Sequence, residues 1–200
     1  MARRFRQQVD DEILDRAAAL FAQHGFDQTS LKSLADAVGL SKAGLLHHYP
    51  SKEALYEAAR VAGRDRGRSV LEQLEHLPPG RERDRRALEL VTDLALDRPG
   101  WVALAFSSFT TPDAATTFNE QFDEQTVFVA EMFAIDLDGS DPERFVRVVG
   151  ALSAMAVLSL AANRKGEKTT WRPHIIATCF DALGHSRPDA SSSSSHQVEA

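Results

Sequence analysis

Apolar residues recur at helical spacing early in the chain. They are separated by one, three or four residues, which places them on one face of a helix with a period of 3.6 residues. This face comprises Ile13, Leu14, Ala17, Leu20 and Phe21. Gly25 suits the left-handed residue that ends such a helix, and Phe26 can fold back onto its last turn.

Capping residues and helix breakers predict the rest of the secondary structure. Ser, Thr or Asp before a helical pattern marks a helix start, and Gly or Pro marks an end. These signals predict helices at 31–38, 42–49, 51–76 and 81–96, from 99 on, at 111–133, from 141 on and at 171–183. Alternating patterns typical of strands are nearly absent, so we predict an all-α fold of about nine helices.

Leu31 to Tyr49 reads as two short helices joined by a tight turn. Ala35 is small enough for the helices to touch, and Gly39 tolerates the positive φ that opens the turn. The inner faces carry the apolar residues Leu34, Val38, Leu40 and Leu45. This spacing is that of a helix-turn-helix, whose second helix enters the major groove of DNA. A purely structural helical corner explains it equally well, and the motif alone does not decide.

Further residues surround the motif in a specific pattern. They are Ile13-Leu14, Ala17, Leu20-Phe21, His24-Gly25-Phe26, Thr29-Ser30-Leu31, Leu34-Ala35, Val38 to Leu45 and His48 to Leu55. Through them the block Ile13–Ala58 resembles the DNA-binding domain of the tetracycline-repressor (TetR) family of bacterial transcription regulators. The resemblance implies an N-terminal three-helix helix-turn-helix domain and a C-terminal helical bundle for ligand binding and dimerisation.

The second helix of the motif carries the candidate base contacts. Small residues at its start let the backbone approach base edges, and His47 projects from the same helix. Phosphate contacts fix the register without reading sequence, and the resemblance implies that Thr29, Tyr49 and Lys52 make them. The predicted DNA-binding residues are Thr29, Ser30, Ser41, Lys42, Ala43, Gly44, His47, His48, Tyr49 and Lys52, together with Arg3, Arg4 and Arg6.

Three arginines near the start form a predicted mobile arm, suited to a phosphate or the minor groove. Solvated charges would explain Lys52 and these arginines as well, and Tyr49 could be a core ring. The family most often has a tyrosine where this chain has Leu46, so one phosphate contact is missing and we shift the expected contact to His47. His48 matches a family histidine that packs against the helix first and contacts DNA second.

Composition and charge fit a soluble chain with two roles. The 200 residues are 43% hydrophobic and 26% charged, as in globular proteins. The first 68 residues carry 11 basic and 9 acidic groups, whereas residues 69–200 carry 12 and 20. The relative excess of positive charge in the first third favours a polyanionic partner there. The single Cys179 and the lack of a leader-like apolar run predict a cytoplasmic protein.

Aromatic residues concentrate in the C-terminal part, which holds eight of the eleven phenylalanines and both tryptophans. A plain hydrophobic core explains most of these rings, whereas the resemblance implies an apolar cavity for an unidentified small effector. The predicted lining residues are Trp101, Phe106, Phe109, Phe118 and Phe122. A set of acidic residues could favour a cationic ligand, although a solvated face explains them as well: Asp113, Glu120, Asp123 and Glu124.

Two C-terminal helices are candidates for a dimer interface. Val148–Ala162 combines apolar residues with glycine and alanine, and with Trp171–Leu183 it resembles the helix pair through which the family dimerises. Burial within the monomer is the alternative. The uncharged run Val148–Asn163 is shorter than the ~20 residues that span a bilayer. A homodimer would place two recognition helices on successive turns of DNA, ~34–36 Å apart.

We predict a DNA-binding domain at 7–67, an effector-binding and dimerisation domain at 68–184 and a disordered tail at 185–200, with the helix at 51–76 as the only connection between the domains. Catalytic motifs are absent, and His174 and Cys179 do not share a helix face, so we predict no enzyme, cofactor or metal. The hypothesis is a repressor that binds a palindromic operator as a homodimer until a small apolar molecule releases it. The alternative is a helical ligand-binding or adaptor protein that does not bind DNA. The basic and small residues at Lys42–Gly44, with Lys52 and the N-terminal arginines, argue against it.

Overall fold

The computed structural model describes the backbone of residues 2–110 and 124–185, and the side chains of residues 8–107 and 126–185. Nine α-helices make up these described parts, which contain no strand. The helices are α1 (Ala2–Gln28), α2 (Leu31–Val38), α3 (Lys42–His48), α4 (Lys52–Glu72), α5 (Arg81–Asp97), α6 (Pro99–Thr110), α7 (Glu124–Phe133), α8 (Pro142–Lys165) and α9 (Lys168–Ala182). The predicted all-α fold is confirmed.

The predicted capping residues begin several of these helices. The Ser30 hydroxyl accepts a hydrogen bond from the backbone of Ser33, whose side chain bonds back, so α2 starts with a complete capping box. Asp141 caps α8 by accepting from the backbone N–H of Arg144, with Pro142 in the first turn. The start of α9 was predicted three residues too late, because Gly166 ends α8 in the left-handed conformation and the chain turns directly into the next helix.

The first helix differs from its prediction at both ends. The backbone of Arg3, Arg4 and Arg6 lies in α1, so the expected mobile arm is wrong. No glycine or proline interrupts residues 2–24, and the helix therefore continues back to Ala2. At its other end, Gly25 has a φ of +76° and kinks the chain before the last turn.

Two hydrophobic clusters fill the molecule. The N-terminal cluster joins α1 to α4 through the buried residues Ile13, Leu14, Ala17, Ala18, Phe21, Leu34, Ala35, Leu45, Leu55 and Ala59. The C-terminal cluster is larger and draws on α4, α5, α7, α8 and α9 and on Val102 of α6, with Leu74, Leu88, Phe133, Val148, Met155 and Ile175 among its fully buried members. The long helix α4 contributes to both, because its first half packs below the helix-turn-helix and its second half enters the C-terminal bundle.

Helix α6 makes a second connection between the two clusters. Its buried residues Trp101 and Leu104 belong to the N-terminal cluster and pack beside α1. At Gly100 the helices approach so closely that an added Cβ would lie 1.8 Å from the Asp15 carbonyl oxygen. The expectation that the helix at 51–76 alone connects the domains is therefore wrong. The close approach of α1 and α6 is made by residues about 85 positions apart in the sequence. The periodicity of apolar residues within a helix carries no information about such a contact.

Buried polar groups tie the C-terminal bundle together. The Arg83 guanidinium on α5 donates to four backbone carbonyls, those of Leu74, Leu77, Glu131 and Met132. Beside it, the buried Asp84 carboxylate lies 2.6 Å from Arg144 on α8 and 2.6 Å from His185, just after α9. Pairing of this kind compensates the removal of a charge from water.

Helix α8 is long and apolar enough to cross a membrane by length and composition. One of its faces is instead part of the C-terminal core, through Val148, Ala151, Leu152, Met155 and Ala162. The opposite face leaves large apolar side chains exposed, with Val146 at 67% and Val157 at 68% of their full accessibility. This exposed face of α8, comprising Val146, Gly150, Ser153, Val157 and Leu160, follows the three- and four-residue spacing of one helical stripe.

Candidate nucleic-acid interface

The turn between α2 and α3 is fixed by its own backbone. Gly39 has a φ of +71°, and its N–H and that of Leu40 bond back to carbonyls of the last turn of α2. The Ser41 hydroxyl then accepts from the backbone N–H of Gly44 at 3.0 Å and caps α3. The two helices are held below by Leu34 and Leu45, both fully buried. The geometry is that of the predicted helix-turn-helix.

The outer face of α3 is not used for packing. Lys42, Ala43 and His47 are exposed, whereas Leu45 fills the core beneath them. A Cβ added to Gly44 would lie 3.2 Å from the Ser41 hydroxyl, so a glycine keeps the cap undisturbed. The face thus offers one cation, one imidazole and two small residues to a partner, at the start of a helix that is anchored from below.

Tyr49 ends α3 with a half-buried ring. Burial, together with the nearby Asp10 and Asp11 carboxylates, raises the pKa of the Tyr49 phenol to about 12. Like an ordinary tyrosine, it is protonated at neutral pH, and its hydroxyl can donate to a phosphate oxygen. The alternative of a core ring fits only in part, because the side chain keeps some solvent contact.

Lys52 has an intramolecular role that the sequence did not reveal. Its ammonium donates to the Phe26 carbonyl at 2.9 Å and lies 4.2 Å from the centre of the Phe26 ring. The first residue of α4 is thereby tied to the end of α1. A phosphate contact by Lys52 would be made in addition to this tie, so its loss would also affect the packing of the domain.

Thr29 is placed differently from its prediction. Its side chain is 2% exposed, and its hydroxyl donates to the Gly25 carbonyl at 2.6 Å. This bond satisfies a carbonyl at the kinked end of α1. The side chain therefore stabilises the α1–α2 connection and does not face solvent. Its neighbour Ser30 is exposed and caps α2.

His48, for which the resemblance implied packing against the helix first and DNA contact second, contacts both α1 and its neighbour Tyr49. It is exposed, and its Nδ1 lies 3.4 Å from Asp10 on α1. Its ring also stacks loosely on that of Tyr49, with centroids 6.5 Å apart. The side chains of Arg3, Arg4 and Arg6 lie outside the described residues, so their predicted contacts stay predictions.

Arg16 is a positioning residue that the sequence analysis missed. Its guanidinium donates to the Ala37 carbonyl at 3.1 Å, near the end of α2, and to Glu12 at 2.8 Å. A cation at a helix C-terminus meets carbonyls that lack intrahelical partners. The spacing of 21 residues between Arg16 and Ala37 carries no periodic signal that could have revealed it.

An apolar cavity of about 110 Å³ lies between α4 and the C-terminal helices α5 to α8. Trp101 and Phe106 line it, as predicted. Phe118 and Phe122, like Asp113, Glu120 and Asp123, lie outside the described residues, as do the side chains of Phe109 and Glu124. The sequence analysis missed the α4 wall, comprising Ala59, Arg60, Gly63, Arg64, Gly67 and Val70. Two glycines four residues apart on one helix face were the available signal.

The candidate metal pair is not assembled. Cys179 is buried with its thiol directed at the Ala151 carbonyl, 3.2 Å away, whereas His174 is exposed on the other side of α9. Desolvation by burial raises the pKa of the Cys179 thiol to about 11. Within the described side chains, no group of three His, Cys, Asp or Glu residues could hold a metal ion.

Comparison with known proteins finds sequences similar to the region that carries this interface. Residues 13–59 match the family model described as bacterial regulatory proteins, tetR family. The biofilm operon icaADBC HTH-type negative transcriptional regulator IcaR of Staphylococcus aureus (strain Newman) is 43% identical over 49 residues, or 24% of this chain and 26% of IcaR. IcaR of Staphylococcus epidermidis is 41% identical over 48 residues. The chain thus matches about a quarter of the length of these relatives.

Similarity of fold extends over most of the chain. The crystal structure of a TetR family transcription regulator from Marinobacter aquaeolei VT8 covers 90% of this chain, which in turn covers 97% of that structure, with a TM-score of 0.53. The sequence identity is 20%. At this level of sequence identity the comparison shows a shared fold.

Proposed function

Because residues 13–59 match the model of the tetR family of bacterial regulatory proteins, we propose that this chain belongs to that family and is a transcriptional repressor. It binds a two-fold operator as a homodimer and leaves the operator when a small molecule fills the C-terminal cavity. The observation that carries DNA binding is the exposed face of α3, with Lys42, Ala43 and His47 turned away from a well-packed core. The chain acts on chromosomal DNA and hence in the cytoplasm.

The interface divides into reading and holding residues. His47 and the small residues Ala43 and Gly44 meet base edges in the major groove, where hydrogen-bond patterns and thymine methyls distinguish the base pairs. Lys42, Tyr49 and Lys52 meet phosphates, which set the register. Tyr49 does so as a neutral hydroxyl donor. The α1 arginines Arg3, Arg4 and Arg6 add positive charge on the same unit.

Dimerisation is proposed through α8 and α9. The exposed face of α8 presents Val146, Val157 and Leu160 to solvent in the single chain, and such a stripe gains stability when a second copy covers it. The outer residues of α9 alongside are small or polar, with Ala177 and Thr178 exposed. A dimer in which these helices pair across a two-fold axis presents two identical recognition helices. This arrangement matches an operator with two-fold symmetry.

Effector response is proposed through the cavity and its two connections. The α4 wall of the cavity continues into the helix that starts at Lys52, and the α6 wall continues into the contact with α1 at Gly100. A ligand that favours a different position of either helix changes the separation of the two α3 helices in the dimer. DNA requires one separation, so ligand and DNA weaken each other by the same factor.

The test of this function starts from the full chain and random DNA. Duplexes that bind are selected, and the affinity for the recovered site is measured between about 50 and about 200 mM salt. We expect a two-fold site and an affinity that falls steeply with salt, because several phosphates are neutralised per subunit. Failure to recover any preferred sequence would contradict the proposal. A salt-independent affinity for the recovered site would do the same.

A further inference from the structure

Two neighbouring carboxylates on α1 have partners of different kinds. The Asp11 carboxylate pairs with the Arg66 guanidinium at 3.0 Å, and a guanidinium is never deprotonated in a protein. The Asp10 carboxylate lies 3.4 Å from Nδ1 of His48, at the end of α3. An imidazole changes its charge between about pH 8 and about pH 5. His48 therefore neutralises Asp10 only when the imidazole is protonated.

This pair lies beside the proposed DNA contacts and is open to a partner. The side chains of His48 and Asp10 are 35% and 37% exposed, so a phosphate can approach both of them. The His48 ring stacks on that of Tyr49, a proposed phosphate contact, with centroids 6.5 Å apart. Burial, and after it the charges of Asp10 and Asp11, raises the pKa of the Tyr49 phenol. The Asp10 charge therefore acts on the hydroxyl that meets a phosphate in the proposed complex.

Among the charged groups of this region, few change their state near neutral pH. The elements packed here contribute Asp10 and Asp11 on α1, His47 and His48 on α3, Tyr49 directly after α3, and Lys52 and Arg66 on α4. Carboxylates, phenols, ammonium groups and guanidiniums ordinarily keep one charge state between about pH 6 and about pH 8, whereas imidazoles do not. The guanidiniums of Arg3, Arg4 and Arg6 on α1 are also constant charges, whatever they contact.

The charge of this pair affects any bound polyanion. Affinity for DNA depends on how many cations meet its phosphates, and an uncompensated carboxylate opposes them. With a neutral His48, Asp10 keeps its negative charge next to Tyr49. With a protonated His48, the pair carries no net charge, and the cation also lies in the last turn of α3, where helix carbonyls favour it. Bound DNA thus favours the protonated form, and protonation favours bound DNA by the same factor.

We propose that Asp10 and His48 make DNA binding dependent on pH, so that the uptake of one proton by the imidazole tightens the complex. The inference rests on the proposed DNA binding and adds a regulation to the same surface. The complex gains stability as pH falls through the range in which the imidazole titrates, and loses it as pH rises. Arg66 keeps Asp11 neutralised throughout, so Asp10 is the conditional charge of the two.

The test measures the affinity of the full chain for a short duplex of random sequence, at several values between about pH 8 and about pH 6. Low and constant ionic strength preserves interactions between exposed charges. Because phosphates occur in every sequence, no operator needs to be known. The test variants are His48→Gln and Asp10→Asn, and His47→Gln tests the neighbouring imidazole. His76→Gln, in the exposed turn after α4, is the control for titration elsewhere.

The wild-type chain should bind about fivefold more tightly at the lower pH, the size of one charge interaction between exposed groups in water. This factor should fall to about one in His48→Gln and stay at the wild-type value in His76→Gln. His47→Gln should also keep the factor, because a random duplex does not offer His47 its proposed base contact. Circular dichroism at each pH shows whether every variant is folded.

Asp10→Asn separates the carboxylate from the imidazole. It should bind more tightly than the wild-type chain at the higher pH, because the charge that repels phosphates is gone. It should also gain less affinity on acidification, because the imidazole has lost the carboxylate that favours its charged form. Weaker binding of Asp10→Asn than of the wild-type chain at the higher pH would overturn the role of this carboxylate.

Other results distinguish this inference from the proposed function. A wild-type affinity that does not change with pH would overturn the inference and leave the DNA-binding proposal intact. A pH dependence that survives in His48→Gln would also overturn it, and its loss in His47→Gln would then assign the proton to the neighbouring imidazole. Absence of binding to any duplex at every pH would contradict the DNA-binding proposal and the inference with it.

Discussion

Asp15 on α1 accepts a hydrogen bond from the backbone N–H of Trp101, 3.0 Å away in the first turn of α6. The Asp15 carboxylate thereby caps α6, which lines the apolar cavity. Asp15 itself lies on α1, which packs against the helix-turn-helix. Trp101 is held at the same point by Arg66, which also pairs with Asp11 on α1 at 3.0 Å. The proposed ligand-binding region and the proposed DNA-binding region are joined at this residue.

The Asp15 carboxyl should make the stability depend on pH. Desolvation raises its pKa above the ordinary value of 3.8, against the opposing effects of the Trp101 N–H and the Arg98 charge. The folded chain therefore binds more protons than the unfolded chain just above pH 3.8, so this group lowers the stability as pH rises through its folded pKa. Asp15→Asn keeps an acceptor oxygen without the charge. Its free energy of unfolding relative to wild type should increase across that range in urea titrations.

The control for this measurement is Asp65→Asn, which removes a carboxyl from an exposed position on α4. A difference between Asp15→Asn and wild type that stays constant with pH would contradict the buried-carboxyl interpretation. The same pH dependence in Asp15→Asn and Asp65→Asn, each relative to wild type, would also contradict it.

Gly100→Ala should destabilise the chain by more than about 2 kcal/mol, because overpacking against backbone has no easy relief. The new Cβ would lie 1.8 Å from the Asp15 carbonyl oxygen, and the two helices would have to separate. Gly63→Ala is the matched control on α4, where a Cβ meets nothing within 4 Å. It should gain about 0.5–1 kcal/mol from the helix propensity of alanine. Thermal unfolding of both variants measures the difference in their stability. Equal stabilities of the two variants would show that α1 and α6 are not closely packed.

His47→Ala should reduce sequence discrimination while leaving general DNA affinity nearly intact. The exposed imidazole meets base edges in the proposed complex, and one base contact contributes about 1–3 kcal/mol of discrimination. His76→Ala is the control, since His76 is an exposed histidine in the turn after α4. Gel shifts on a selected operator and on a scrambled duplex measure both. An equal loss of affinity on the two duplexes would show that His47 contacts a phosphate and not a base.

Val157→Glu should dissociate the proposed dimer, because a carboxylate on the exposed face of α8 would be buried between the two copies. The change should raise the dimer dissociation constant by at least about tenfold. Since Val157 is exposed in the single chain, the fold of the monomer should survive. Val61→Glu, at an exposed valine on α4, is the control. Sedimentation that shows the same dimer for both variants would move the interface elsewhere.

Cys179 should be inert to thiol reagents in the folded chain. Its pKa of about 11 leaves roughly one thiolate in a thousand at pH 8, and the side chain is buried against Ala151. Modification by a chromogenic disulfide should therefore be slow in buffer and rapid in denaturant. Fast stoichiometric labelling of the folded chain would contradict the described packing of α9 on α8.

Local features of this molecule could be predicted from the sequence. Gly39, Ser41 and the Asp141-Pro142 pair fix their conformations through neighbouring residues only, and helix starts and ends followed these signals. The burial of Leu34 and Leu45 also followed from helical spacing. These features were enough to define the helix-turn-helix.

Features that depend on distant residues could not be predicted. The Asp15 cap, the tie from Lys52 to the end of α1 and the tie from Arg16 to the end of α2 join positions 21 to 86 residues apart. In the sequence pattern, a polar residue that makes such a contact looks the same as a polar residue that faces solvent. For the same reason Lys52 was expected to contact DNA or solvent, and α4 was expected to be the only connection between the domains.

The bond between His185 and the buried Asp84 carboxylate sets a practical limit on shortening the chain. A truncated form that stops at Leu183 would lose this histidine and the backbone bond from His185 to the Phe180 carbonyl. Among the described residues, only Arg144 would then pair with this carboxylate, which is 1% exposed. Expression boundaries for crystallisation, and any cleavable affinity tag, are therefore best placed after residue 185.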